Sequence, residues 1–212
     1  MEVVEFEYDS QQYFLKCHSD LIKRIISENQ TYFEDWLLTP LKEKVSSFDF
    51  IIDVGSNIGN HAHFFSNVCK AKKVICFEPL PENFELLKEN CPECILYQSG
   101  LSSRTGEGFL NKHEDINKNS GTAKIDTSGL SVELNTLDIF EFKGVTFIKI
   151  DVEGHELEVL KGATQTIESS KPDILVETHS GITPEDVLQL LPNGYNFERL
   201  GHETHYLYKH SV

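Results

Sequence analysis

The stretch Phe50-Ile-Ile-Asp-Val-Gly-Ser-Asn-Ile-Gly-Asn60 constrains this chain more than any other. An apolar run that ends in an acid and passes into spaced glycines reads as a buried strand turning sharply into a helix. Gly55 and Gly59 lack a β-carbon, so the backbone can take positive φ angles there, and a ligand can lie against the main chain near the free N–H groups of the next helix. Asp53 stands where the strand ends. A tight turn that serves packing alone is the competing explanation.

The spacing Asp-x-Gly-x-x-x-Gly departs from the Gly-x-Gly-x-x-Gly of dinucleotide enzymes, whose glycines admit a pyrophosphate. A nucleoside ligand without a pyrophosphate fits better, and S-adenosyl-L-methionine is one. Its ammonium would pair with Asp53 and its carboxylate would accept from helix N–H groups. Gly55, Asn57, Gly59, Asn60 and His61 are the expected contacts around this turn. Val74-Ile-Cys-Phe77 is then a short strand that delivers Glu78-Pro79, with Glu78 19 positions after Gly59. That is close to the roughly 20-residue offset at which an acid meets ribose hydroxyls. Pro81 opens a helix to Asn90, and Cys94–Gln98 is a third strand, followed by Ser99-Gly100-Leu101 at the expected adenine face.

With 212 residues the chain suits one well-buried α/β domain. A net charge of −15, with 19 basic residues scattered among 34 acids, argues against duplex nucleic acid as the main substrate. No apolar run is long enough to span a bilayer, the first residues are acidic, and five cysteines show no disulfide framework, so a cytoplasmic, reducing location is expected. Cys91-Pro-Glu-Cys94 has no second pair to complete a zinc site. His61 and His63, two apart, cannot share a helix face and make a poor metal pair.

Before the Gly turn, Met1–Cys17 alternates about Asp9-Ser10 as a hairpin outside the main sheet, acting as a lid or edge. Helices at Leu21–Ile26 and Trp36–Leu41 follow, with Tyr32-Phe33-Glu34 between them within reach of the ligand. After the third strand, Arg104–Asn135 turns polar and Gly-rich, including Lys112–Asp115 and Asn117–Thr122, which suits hairpins and an open loop. Such an insertion either selects substrate or is solvated padding.

Val145–Ile150 is a strongly β-prone run ending in Asp151-Val-Glu-Gly-His-Glu156, and Leu157, Leu160, Ala163 and Ile167 continue at helical spacing. Asp173–Glu177 repeats the arrangement and places Glu177 and His179 at the next strand end. Neighbouring parallel strands would bring Asp151, Glu153 and Glu177 together beside the sulfonium methyl, with Asp151 and Glu153 as further cofactor contacts. Two roles are open. Asp151 and Glu177 could be hard oxygen ligands for a divalent cation such as Mg²⁺, or a carboxylate and the His179 imidazole could act as general base on a hydroxyl. Glu156 and Glu158 read as solvated acids favoured by a helix N-terminus. Tyr195–Leu200 and His205–Tyr208, around Gly201–Thr204, form a closing antiparallel hairpin.

Ile52–Gly59, Phe77-Glu-Pro79, Thr136-Leu-Asp138, Ile148-Lys-Ile-Asp-Val-Glu-Gly-His-Glu156, Leu160-Lys-Gly-Ala163, and Lys171-Pro172 with Val176-Glu177 together resemble the FkbM family of S-adenosylmethionine-dependent methyltransferases. The resemblance runs from about Tyr32 to the C-terminus. It implies a class I methyltransferase fold, Rossmann-like α/β, and O-methylation of sugars or polyketides. The expected architecture is a seven-stranded, mostly parallel sheet whose last hairpin supplies an antiparallel strand. Residues 1–47 would form a cap within the same unit and residues 48–212 the S-adenosylmethionine-binding domain. The expected reaction is transfer to an oxygen of a small hydroxyl-rich acceptor such as a saccharide, with Asp151, Glu177 and His179 catalytic. N-methylation of a small amine, a nicotinamide-dependent oxidoreductase and an inactive nucleoside-binding module are the alternatives.

Overall fold

The computed structural model describes residues 2–18, 21–111, 124–179, 181–201 and 204–211. Strands β1 (Glu2–Tyr8) and β2 (Gln11–Cys17) pair antiparallel as a separate sheet. Asp9 and Ser10, at φ 48° and 60°, make the two-residue turn. Two positive φ angles in such a turn match the natural twist of the strands. Alternation buries Val4, Phe6, Tyr13 and Leu15, and these join one continuous apolar core with α1 (Leu21–Asn29) and α2 (Asp35–Lys44).

The rest of the chain alternates strand and helix: β3 (Phe50–Val54), α3 (Asn60–Asn67), β4 (Lys73–Phe77), α4 (Pro81–Asn90) and β5 (Ile95–Tyr97). After an insertion come β10 (Phe147–Ile150), α5 (Glu156–Lys161), α6 (Thr164–Ser170), β11 (Asp173–Glu177), α7 (Pro184–Leu188), β12 (Tyr195–Arg199) and β13 (His205–His210). The insertion itself holds β6 (Gly100–Leu101), β7 (Gly106–Asn111), β8 (Lys124–Asp126) and β9 (Leu130–Asn135). The main sheet has the order β12-β13-β11-β10-β3-β4-β5. Its five strands from β11 to β5 run parallel, and β13 lies antiparallel between β11 and β12. The seven-stranded sheet with an antiparallel closing hairpin is therefore as expected.

Strand periodicity divides the core between the two sheet faces. Ile51, Phe147, Leu175 and Leu207 face the cap, α3 and α4, while Ile52, Val54, Ile148, Ile150 and Val176 face α5, α6 and α7. Three expectations change. The helical spacing from Leu157 to Ile167 is two helices, because Asp138 accepts from the N–H groups of Gln165 and Thr166 at 2.9 and 2.8 Å and so starts α6 afresh. Gly100 and Leu101 form a short strand parallel to β9 rather than a loop. The insertion folds as a four-stranded sheet, order β6-β9-β7-β8, with a small core of Leu80, Leu110, Val132 and Leu134. Lys112–Asp115 and Asn117–Thr122 lie outside the described residues, as do His202 and Glu203 of the closing hairpin.

Candidate active site

The C-terminal ends of β3, β4, β10 and β11 open onto one cleft, where an open parallel sheet places its ligands. At the end of β3 the chain turns through Gly55 (φ 76°) and Asn57 (φ 51°), and the N–H groups of Gly55 and Ser56 both donate to the Phe77 carbonyl at 3.0 Å. A β-carbon at Gly55 would lie 1.9 Å from the Asp151 carbonyl oxygen, so only glycine lets the turn pass β10. Gly59 serves packing instead, since its β-carbon would meet Cys91 Sγ at 2.8 Å and Leu87 at 2.9 Å. Of the two glycines of this turn, only Gly55 lines the cleft.

Glu78 and Pro79 stand on the same wall, with Gly100 and Leu101 beside them. The Glu78 carboxylate accepts from the N–H groups of Asn57 and Leu80, both at 2.8 Å. Burial pushes its pKa up to about 7 against those two bonds. Each oxygen keeps a second lone pair for a ligand hydroxyl. Ser99 is buried and does not line the cleft.

Asp53 lies behind this wall. It is fully buried, and Lys149, its register partner on β10, approaches its Oδ1 to 3.4 Å. The same ammonium lies 3.4 Å from Asp151 Oδ2 and donates to the Gly55 carbonyl at 2.8 Å. Those charges hold the lysine protonated although burial opposes it. An Asp53 paired in this way does not line the cleft, where the sequence reading set it against a ligand ammonium. Asn60 and His61 likewise lie outside the lining. Asn60 bonds both the N–H (3.1 Å) and the carbonyl (2.9 Å) of Phe33, and His61 Nε2 lies 3.1 Å from Glu34 Oε2. Phe33 and Glu34 line the cleft, as does Ile22 of α1, so the cap contributes directly to the site. None of the described residues of the β1–β2 hairpin lines it, so the hairpin is neither lid nor sheet edge.

The opposite wall carries Asp151, Glu153 and Glu177. His179 is clamped among carboxylates: Nδ1 is 3.1 Å from Glu156 Oε1, and Nε2 is 3.3 Å from Glu177 and 3.7 Å from Glu153. Hydrogen bonds to Glu156 and Glu177 raise its pKa to about 11. The imidazole thus starts with its proton on, and the role of proton acceptor does not fit it in this arrangement. Glu156 is fully buried, bonded to His179 and to the Gly154 N–H, and is not a solvated acid. Burial would raise the Glu177 pKa, but His179 and His205, the latter 3.3 Å from Oε2, outweigh it and hold the group well below the usual carboxylate range. Asp151 shifts the other way: loss of hydration and the neighbouring acids outweigh Lys149. It still exposes 28% of its side chain, into the cleft. Glu153 rises to about 7, chiefly through burial. Glu34 belongs to the segment expected within reach of the ligand, whereas Lys149 and His205 are the site residues that motif reasoning missed. Only Lys149 left a signal, as a lone charge inside an apolar strand.

This architecture, an α/β sheet with a Gly turn and strand-end acids around one cleft, is that of the class I, Rossmann-like methyltransferase fold. Residues 53–203 match the methyltransferase FkbM domain, and the chain belongs to that family. It is 38% identical over 162 residues to the hexuronic acid methyltransferase AglP of Haloferax volcanii, covering 71% of this chain and 64% of that protein. The chain therefore spans less than two thirds of that relative's length. Among solved structures it resembles methyltransferase FkbM from Methylobacillus flagellatus, with a TM-score of 0.59 and 19% identity over 89% of this chain and 60% of that one. It also resembles a TehB-like SAM-dependent methyltransferase from Corynebacterium glutamicum, with a TM-score of 0.51 and 10% identity over 88% and 91%.

Proposed function

We propose that the protein is an S-adenosylmethionine-dependent methyltransferase acting on an oxygen of a small hydroxyl-rich acceptor, a sugar or related compound. The observation that carries this reading is the separation of acids within one cleft: Glu78 on one wall, and Asp151, Glu153 and Glu177 on the other. Glu78 suits ribose hydroxyls, and Gly55 and Asn57 line the cleft beside it, where the amino-acid end would lie. The bound cofactor supplies an electrophilic methyl on sulfur. Phe33 and Val152 help enclose the cleft.

A neutral hydroxyl is a weak nucleophile until its proton is taken. With the cofactor bound, attack by the acceptor oxygen on the methyl carbon would leave the S–C electron pair on sulfur, and the hydroxyl proton would pass to a carboxylate of this chain. Asp151 and Glu153, whose proton affinity is raised, suit that task better than Glu177. Glu177, held ionised by two imidazoles, would orient the hydroxyl, and His179 would fix both neighbouring acids. The relative's activity toward a hexuronic acid supports carbohydrate as the acceptor class.

A divalent cation is the second reading. Glu34, Glu177 and His205, or Asp151, Glu177 and His179, bring ligand atoms within 4.8 Å of one another. The five free thiols fit a reducing, cytoplasmic setting. Calorimetry should show S-adenosylmethionine and its demethylated product binding and no NAD binding, and a sugar panel should then show methyl transfer. Full activity in Asp151→Asn/Glu177→Gln, unaffected by chelators, would remove both acids from the chemistry. Cofactor binding with no acceptor turned over would favour a nucleoside-binding module.

A further inference from the structure

Four carboxylates line the cleft away from Glu78: Glu34 from the cap, Asp151 and Glu153 after β10, and Glu177 at the end of β11. No lysine, arginine or histidine is among the described residues that line it. The basic groups that face these acids stand behind or between them. Lys149, 4% exposed, backs Asp151; His61 backs Glu34; His205 and His179 flank Glu177. With the buried Asp53 and Glu156, that makes six acids around four basic groups among the described residues. With all six carboxylates ionised, the cluster is negative even when every imidazole is protonated. Exposed Lys124 on β8 acts on Glu153 in addition, but as a solvent-screened charge.

We propose that the acceptor carries a protonated amine near the hydroxyl it presents, an amino sugar in chemical class, with the ammonium held among Glu34, Glu153 and Glu177 and with uronic acids excluded. This rests on the methyltransferase reading above and names its substrate class. An ammonium supplies the positive charge that the lining residues lack, and its three donors can each meet a carboxylate. A uronate would bring a further carboxylate against these acids with no cation among the described lining residues to receive it, and like charges brought together at a site cost several kcal/mol. The Haloferax volcanii relative is named for such an acid, so the two proteins would differ in acceptor charge.

The same carboxylates decide which atom is methylated. Acids around an ammonium raise its pKa, so its lone pair stays on the proton and is unavailable to a methyl group. The amine is the handle and the neighbouring hydroxyl the nucleophile. Phe33 and Asn60 complete the argument, because Asn60 fixes the loop that carries Glu34.

The test is competition by saturation-transfer NMR on the full chain loaded with S-adenosylhomocysteine, using glucosamine, glucose and glucuronate. Calorimetric binding of S-adenosylhomocysteine comes first. Its failure would sink the methyltransferase reading itself, whereas the sugar series bears only on acceptor charge. Glucosamine should bind about tenfold tighter than glucose, the gain expected of one well-placed ion pair, and glucuronate should give no signal. The preference should collapse in Glu34→Gln/Glu153→Gln, whose unchanged thermal unfolding reports an intact fold. Equal binding of the three sugars, a preference for glucuronate, or no glucosamine signal would overturn the proposal. So would a preference that survives in the double variant, which would trace it to the overall charge of −15.

Discussion

Replacing Lys149 by methionine keeps the length and packing of the side chain and removes one buried charge. Asp53, fully buried, then faces an apolar side chain, and neither of its oxygens has a hydrogen bond to fall back on. Breaking a buried ion pair from one side costs about 3–5 kcal/mol, and the Gly55 carbonyl loses its 2.8 Å donor for roughly 1 kcal/mol more. Against a total stability of roughly 5–15 kcal/mol this is a large fraction. For a chain of this size each kcal/mol moves Tm by about 2–4 °C, so a fall on the order of 10–20 °C is expected. Urea and thermal unfolding measure it. Lys149→Met/Asp53→Asn should recover most of the loss, because no unpaired charge is left inside. A Lys149→Met variant within about 1 kcal/mol of the parent, or a double variant worse than the single one, would refute this reasoning.

Gly55→Ala should abolish binding of S-adenosylhomocysteine in calorimetry, since the added β-carbon would lie 1.9 Å from the Asp151 carbonyl at a φ of 76°. Asn60→Ala frees the Phe33 main chain and should raise acceptor KM several-fold while cofactor affinity, measured separately, stays put. His179 should remain an imidazolium at pH 8.5 in ¹⁵N-detected histidine spectra, and that signal should vanish in His179→Gln. Because its folded pKa is raised, the stability it contributes is complete below about 6.5 and lost as pH rises toward 11, so His179→Gln should be more damaging at pH 6 than at pH 10. Tyr32→Phe removes a buried 2.7 Å bond to His63 and should cost roughly 1–2 kcal/mol in urea unfolding.

The parallel sheet was legible because it rests on local signals. Apolar runs of about strand length lead to Asp53, Glu78, Asp151 and Glu177 and alternate with helical spacing; Asp53 is the last residue but one of β3, Glu177 is the last of β11, and Glu78 and Asp151 directly follow β4 and β10. The hairpin at Asp9-Ser10 was legible for the same reason, since two short polar residues between alternating segments make a tight turn. The break between α5 and α6 was not. The Asp138 carboxylate that starts α6 comes from a separate 3₁₀ turn, and helical periodicity runs straight through the break.

The site divides along the same line. The sheet acids that line the cleft stand at strand ends, but whether a given acid faces the cleft or a buried partner depends on register, which the sequence leaves open. Asp53 and Asp151 both follow apolar runs, yet β3 aligns Asp53 with Lys149 while Asp151 lies beyond the last paired residue and turns into the cleft. His205 is a further case. Its approach to Glu177 follows from β13 pairing with β11 so that the two residues stand opposite each other, and that pairing joins segments separated by α7 and β12. The one trace available from sequence was Lys149 itself. An ammonium buried in a central parallel strand is tolerable only beside acids, and the period of two already places it on the same face as Phe147, against the neighbouring strand that carries Asp53. A charged residue inside an otherwise apolar central strand therefore predicts an acid at the matching position of a neighbour, and where both strands end at a ligand cleft, as here, that pair braces the wall of the site.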